Sequence, residues 1–229
     1  MITREQLKLN MSSFMERVAQ SASQVSCKAS DICIVPAIKR QQDDIVEMLA
    51  ELGISNVGEN RVQEMMSKYN SELPMNWHFI GRLQTNKVRY IIDKVSLFHS
   101  LDRISLVDKL SSEAAKCNIS ANALIEVNIA EELSKGGVSP KDTLSFVLEC
   151  ERFENINLLG FMSVMPHLEN TDKLEYHYKK IYELYMEIGN MKGLSFKHLS
   201  VGMSDDFELA IKCGANMIRP GRILFGERN

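Results

Sequence analysis

Lys39 is the residue whose type and position carry the most chemistry in this chain. It closes an apolar, β-type run, Ile32-Cys33-Ile34-Val35-Pro36-Ala37-Ile38, the first of eight such runs that alternate with helical patterns. A lysine at the carboxyl end of a strand sits where an α/β barrel keeps its reactive groups. There an amine can be desolvated, lose its proton and condense with an aldehyde to a Schiff base. The plain alternative is a solvated lysine at a strand end. Other polar and glycine residues end the later runs: Asn60 in Gly58-Glu59-Asn60, then Gly81-Arg82, Asn128, Ser163, Ser200 with Gly202, and Arg219 with Gly221. Each alone reads as a cap or turn residue. Together they mark one rim.

The loops after runs seven and eight are where such barrels often hold phosphate, on backbone N–H groups. Here they read Ser200-Val201-Gly202-Met203-Ser204 and Gly221-Arg222. Glycine lets backbone approach an anion, serine donates a hydroxyl, and Arg222 adds a forked cation. Asp205 and Asp206 are expected as first-turn carboxylates of the next helix. An amine on one side and an anion cradle on the other describe a site for a phosphorylated aldehyde. Pyridoxal 5'-phosphate is one candidate, and a phosphorylated metabolite processed as substrate is another.

The elements that position these residues follow from periodicity. Leu7, Met11, Phe14 and Val18 recur on one face of an N-terminal helix within residues 1–26, with Thr3 and Gln6 as its capping pair. Strands are expected at 32–38, 56–58, 77–81, 97–101, 123–129, 158–164, 198–201 and 216–219. Helices are expected between them, including Gln84 to Ile91 and Asp205 to Lys212. Eight strand–helix units are enough to close a parallel sheet. The expectation is α/β: a single (β/α)8 TIM barrel domain over 1–229, with the N-terminal helix packed on it.

Composition narrows the function classes. A net charge of -3 with scattered Lys and Arg gives no general attraction to nucleic acid or to an anionic membrane. No apolar stretch reaches spanning length and the N-terminus lacks a signal-peptide pattern, so a cytoplasmic protein is expected. Five cysteines without a C-x-x-C pair suit a reducing compartment. The five histidines lack ligand spacing, and no metal is expected. His78 reads as a half-buried strand residue.

Five blocks resemble a known family. Gly58-Glu59-Asn60-Arg61-Val62-Gln63-Glu64 is similar to its G-E-N-x-V-Q-E, and His78-Phe79-Ile80-Gly81-Arg82-Leu83-Gln84-Thr85-Asn86-Lys87 to its H-F-I-G-x-L-Q-x-N-K. Ser134-Lys135-Gly136-Gly137 resembles S-K-x-G, and Leu199-Ser200-Val201-Gly202-Met203-Ser204-Asp205-Asp206 resembles L-S-x-G-M-S-x-D. Arg219-Pro220-Gly221-Arg222-Ile223-Leu224-Phe225-Gly226 follows R-x-G-x-x-I-F-G with one change. The family is that of the pyridoxal phosphate homeostasis proteins, barrels similar to the N-terminal domain of alanine racemase. The resemblance implies that Lys39 carries pyridoxal 5'-phosphate as an internal aldimine, although its neighbours differ from the family's V-S-K-T-K-P run. It places Asn60 near the ring hydroxyl and Arg219 at the pyridine nitrogen. Ser200, Gly202, Gly221 and Arg222 then hold the phosphate, with Arg222 standing where the family usually has a hydroxyl residue.

The implied function is a non-catalytic carrier in intracellular vitamin B6 homeostasis, with apo pyridoxal-phosphate enzymes as recipients, in a monomer or weak dimer. The competing expectation is a pyridoxal-phosphate-dependent amino-acid racemase or lyase, with His78 or Lys135 as its base. A racemase of the alanine type takes a second base from another domain, and nothing after Asn229 is expected to supply it.

Overall fold

A computed structural model describes residues 2–132, 134–166, 168, 170–191, 194 and 196–226. The apolar runs form eight parallel strands: β1 (Cys33–Ile34), β2 (Asn56–Glu59), β3 (Asn76–Phe79), β4 (Val95–Leu101), β5 (Ala121–Glu126), β6 (Ile156–Met162), β7 (His198–Ser200) and β8 (Met217–Ile218). Their order is β1-β8-β7-β6-β5-β4-β3-β2. The two ends of that order meet just beyond β1. There Ala37 pairs with Gly58, Ile38 N donates to Gly58 O at 2.9 Å, and Gly58 N donates to Pro36 O at 2.8 Å. Pro36 has no N–H to give, so the ladder is thin at this seam. The result is a (β/α)8 barrel, as the alternation of runs predicts.

Helices α1 (Arg4–Ser23), α2 (Ile45–Glu51), α3 (Val62–Lys68), α4 (Ile104–Lys116), α5 (Thr143–Cys150), α6 (Thr171–Gly189), α7 (Phe207–Lys212) and α8 (Arg222–Phe225) surround it. α1 is the added N-terminal element. Thr3 Oγ1 caps it by accepting from Gln6 N at 3.2 Å, and Leu7, Met11, Phe14 and Val18 are buried against the barrel. Phe14 and Phe207 of α7 lie with ring centroids 4.9 Å apart.

One expected helix is different. The segment after β3 is a 3-10 helix, Thr85–Tyr90, whose only buried residue is Val88. A single apolar anchor gives no stripe to hold an α-helix against the sheet. Strand five also begins at Ala121, two residues before the predicted start, and ends at Glu126.

Alternation along the strands divides the core. Most apolar side chains pack between strands and helices, whereas Val35, Leu97, Leu124, Met162 and Met217 form a separate small cluster. Leu97 and His99 are two residues apart on β4, as are Met217 and Arg219 at β8, so polar residues share the interior face with this cluster. Gly160 carries φ +138° in β6, and a Cβ there would lie 1.9 Å from His198 O. No helix among the described residues is long and apolar enough to cross a membrane.

Candidate functional site

Lys39 lies two residues past Ala37 and Asn60 two residues past Gly58, so the β1–β2 seam brings both to one place. Both line a recess of about 110 Å³ with Arg40, Arg61 and Glu64. Lys39 is half-buried. Arg40 turns the chain away with φ +60°, and its N–H donates to Glu64 Oε2 at 2.8 Å.

Beneath the recess lies a buried ion pair that the sequence reading missed. Lys68 Nζ donates to Glu59 Oε2 at 3.1 Å and to Ile38 O at 3.2 Å, while Glu59 Oε1 accepts from Asn60 N at 2.7 Å. One ammonium therefore ties the carbonyl preceding Lys39 to the carboxylate preceding Asn60. Burial pushes the Glu59 carboxyl above the usual carboxylate range, and the Asn60 N–H and the Lys68 charge pull against it. The available signal was spacing, since Val62, Met65 and Lys68 fall on one face of α3.

Arg219 lies inside the barrel, almost fully buried. Its Nη1 donates to Ser200 O at 2.5 Å and Ser200 Oγ at 2.6 Å, and its Nη2 donates to Ser163 O at 3.0 Å. From Ser200 a hydrogen-bonded chain crosses the interior. Ser200 Oγ lies 3.1 Å from His99 Nδ1, His99 Nε2 lies 2.9 Å from His78 Nδ1, and His78 Nε2 lies 3.2 Å from Asn56 Oδ1. The protons follow from the two ends. Asn56 Oδ1 only accepts, so His78 carries its proton on Nε2 and accepts on Nδ1. His99 then donates from Nε2, accepts on Nδ1 from the Ser200 hydroxyl, and Ser200 Oγ is left to accept from Arg219.

This chain requires both imidazoles neutral. Burial, helped by His198, lowers His78 to about 4. Burial first, then His78, Arg219 and His198, hold His99 well below its ordinary value. His78 is thus buried and partnered, not half-buried as the sequence suggested.

The loops after β7 and β8 meet at Ser204. Its Oγ accepts from Gly221 N at 3.0 Å and from Ile223 N at 3.2 Å. Two backbone N–H groups thereby converge on one oxygen position. Gly202 adopts φ +94°, and a Cβ there would lie 2.6 Å from Ala210 Cβ of α7, so the turn requires glycine. Asp206 Oδ1 accepts from Met203 N at 2.6 Å and closes the loop, whereas Asp205 is paired with Arg222 across the mouth. Ala37 N donates to Pro220 O at 2.7 Å, which sets this loop next to the strand that carries Lys39.

Gly202, Gly221 and Arg222 are therefore together at the loop pair. Ser200 is not. Its hydroxyl is directed into the barrel and already committed to Arg219 and His99, and Ser204 is the serine on the loop. Lys135 Nζ donates to Glu132 Oε1 at 2.9 Å and Met165 O at 3.2 Å, so it fastens the loops after β5 and β6 to each other. No group of three or more His, Cys, Asp or Glu side chains among the described residues is arranged to hold a metal ion.

The donor set fits a phosphorylated aldehyde. Asn60 Oδ1 is buried with no hydrogen-bond partner, an acceptor beside Lys39 that a ligand hydroxyl can satisfy. The N–H groups of Gly221 and Ile223, which here converge on Ser204 Oγ, suit an anionic oxygen taking its place. Arg219 is a permanent interior cation.

The fold and these rim residues define a barrel of the alanine racemase N-terminal domain class, and the model of that family matches residues 9–229. A pyridoxal phosphate homeostasis protein of Aquifex aeolicus is 40% identical over 223 residues, covering 95% of this chain and 96% of that protein. The chain belongs to this family, among the pyridoxal phosphate homeostasis proteins. PipY of Synechococcus elongatus PCC7942, solved with PLP bound, superposes with a TM-score of 0.79 at 26% identity, over 91% of this chain and 100% of that one. A crystal structure of an unknown protein from Bifidobacterium adolescentis shares the fold with a TM-score of 0.91 at 24% identity, over 98% of each chain.

Proposed function

We propose that this protein binds pyridoxal 5'-phosphate covalently through Lys39 and serves intracellular vitamin B6 homeostasis as a carrier without turnover. The observation that carries the reading is the placement of Lys39 in one recess with Asn60, whose buried oxygen has no partner, on strands adjoining the loop where the N–H groups of Gly221 and Ile223 converge. When bound, the cofactor supplies a reactive aldehyde on an electron-withdrawing ring. Lys39 anchors it. Asn60 orients the ring hydroxyl, and the Ser204–Gly221–Ile223 loop with Arg222 holds the phosphate. Gly202 shapes the turn, and Ser200 acts through Arg219.

With the cofactor bound, Arg219 would present to the pyridine nitrogen a guanidinium that does not deprotonate. That charge disfavours a proton on the nitrogen and weakens the ring as an electron sink, which argues for carriage over racemase or lyase chemistry. A single barrel domain in the cytoplasm, as a monomer or weak dimer delivering cofactor to apo enzymes, completes the reading. The net charge of -3 supports no nucleic-acid or membrane partner.

Purified protein loaded with cofactor is expected to show an imine absorbance band and to racemise alanine no faster than free cofactor. Turnover well above that rate would establish the enzyme instead.

A further inference from the structure

We propose that a cleft adjoining the Lys39 recess is a second anion site, for a small phosphorylated molecule carrying at least two negative charges. The cleft has a volume of about 490 Å³ and is lined by Arg61, Arg82, Lys87 and Arg103 with the amides of Gln63 and Gln84. Among the described residues no carboxylate lines it. Four cations around one concavity stand out in a chain whose net charge is -3.

The nearby carboxylates do not neutralise them. Glu64 is shared among Arg61, Lys68 and the Arg40 N–H. Asp102 is shared between Arg103 at 2.5 Å and Arg82 at 3.6 Å. The Arg82 side chain is 72% exposed, and Lys87 has no ion pair among the described residues, only a Tyr90 ring 5.8 Å from its Nζ. Like charges crowded in a concave wall repel until an anion enters, and the wall focuses their field on that anion.

The wall is built to hold its shape. Buried Phe79 and Leu83 form its floor, and Arg103 Nη2 donates to Leu83 O at 2.6 Å. At Gly81 a Cβ would lie 2.5 Å from Asn60 O, so only glycine lets the β3 loop close against β2. An open cleft of this size suits a small molecule, whereas a protein partner needs a broader face. Arginine forks match phosphate oxygens in pairs. Asn60 and Arg61 line both the cleft and the Lys39 recess, so an anion in the cleft bears on the residues around Lys39.

The test is calorimetric titration of inorganic pyrophosphate into protein whose cofactor has been fixed by borohydride, which keeps the other anion cradle filled. One site per chain is expected, with affinity at least tenfold above that for inorganic phosphate. Arg82→Ala/Lys87→Ala weakens it at least tenfold, and Lys179→Ala on the distant helix α6 leaves it unchanged. No binding, or binding that the double variant leaves intact, overturns the inference. Should borohydride fix no cofactor, the carrier reading fails alone. The cleft is then tested by the same titration in the Arg222→Ala background.

Discussion

Lys39 is held by Lys68, a residue whose cation is buried where one would expect solvent. Removing one partner of a buried ion pair typically costs about 3–5 kcal/mol, because the other charge is stranded. Lys68→Met strands Glu59 and cuts the tie between its carboxylate and Ile38 O. Urea unfolding at neutral pH is expected to report a loss in that range, with slower covalent loading of Lys39. An unchanged midpoint would contradict the latch. Lys68 was hard to read because a helical lysine is normally solvated, and only its spacing from Val62 and Met65 betrays the burial. Ser200 was expected on the phosphate loop and its hydroxyl bonds Arg219 and His99 instead, because strand parity alone does not say whether a hydroxyl at a strand end turns inward or onto the loop. Arg222 also carries a prediction. Arg222→Ala frees Asp205 at the mouth and removes a cation, so binding of the phosphorylated vitamer falls more than that of free pyridoxal. Equal losses for both would rule out a phosphate role.

Among the elements, strands and long helices were legible because their periods are long enough to count. α1, α4 and α6 present apolar residues at helical spacing, and β4, β5 and β6 are largely apolar runs of six or seven residues. The 3-10 segment Thr85–Tyr90 escaped because one buried valine cannot distinguish one helix type from another. The seam at Pro36 and Ala37 was equally hidden, since it depends on one isolated pairing of Ala37 with Gly58 between β1 and β2. Gly160 tests the element scale most sharply. Its positive φ and the carbonyl of His198 leave no room for a side chain. Gly160→Ala is expected to lower stability by on the order of 3 kcal/mol, through strain and a forced separation of β6 from β7. Chemical denaturation measures it, and a loss under about 1 kcal/mol would show that the bend relaxes freely.

Across the whole molecule, the interior chain from Arg219 to Asn56 joins both ends of the barrel through residues far apart in sequence, which is why no local pattern exposed it. It makes stability depend on pH. His78 titrates near 4 when folded and near 6.5 when unfolded, so the unfolded chain takes up the proton first. Stability from this residue is complete above about pH 6.5 and is lost as pH falls toward 4, with a slope of about 1.4 kcal/mol per pH unit. His99 acts in the same direction. The raised carboxyls of Glu59 and Glu126 act oppositely, their stabilisation fading as pH rises. His78→Gln isolates the histidine part, and its urea-midpoint profile between pH 7 and pH 4.5 is expected to be shallower than that of the parent. Identical profiles would mean that the His78 proton is not excluded. The chain also fixes the Arg219 cation inside the barrel. The proposed attachment begins at one amine, and one measurement reaches it directly. Borohydride reduction of the cofactor-loaded protein, followed by peptide mass mapping, should place a single pyridoxyl phosphate adduct on Lys39, with none in Lys39→Ala. An adduct on another lysine, or one that persists at a single site in Lys39→Ala, would contradict the account.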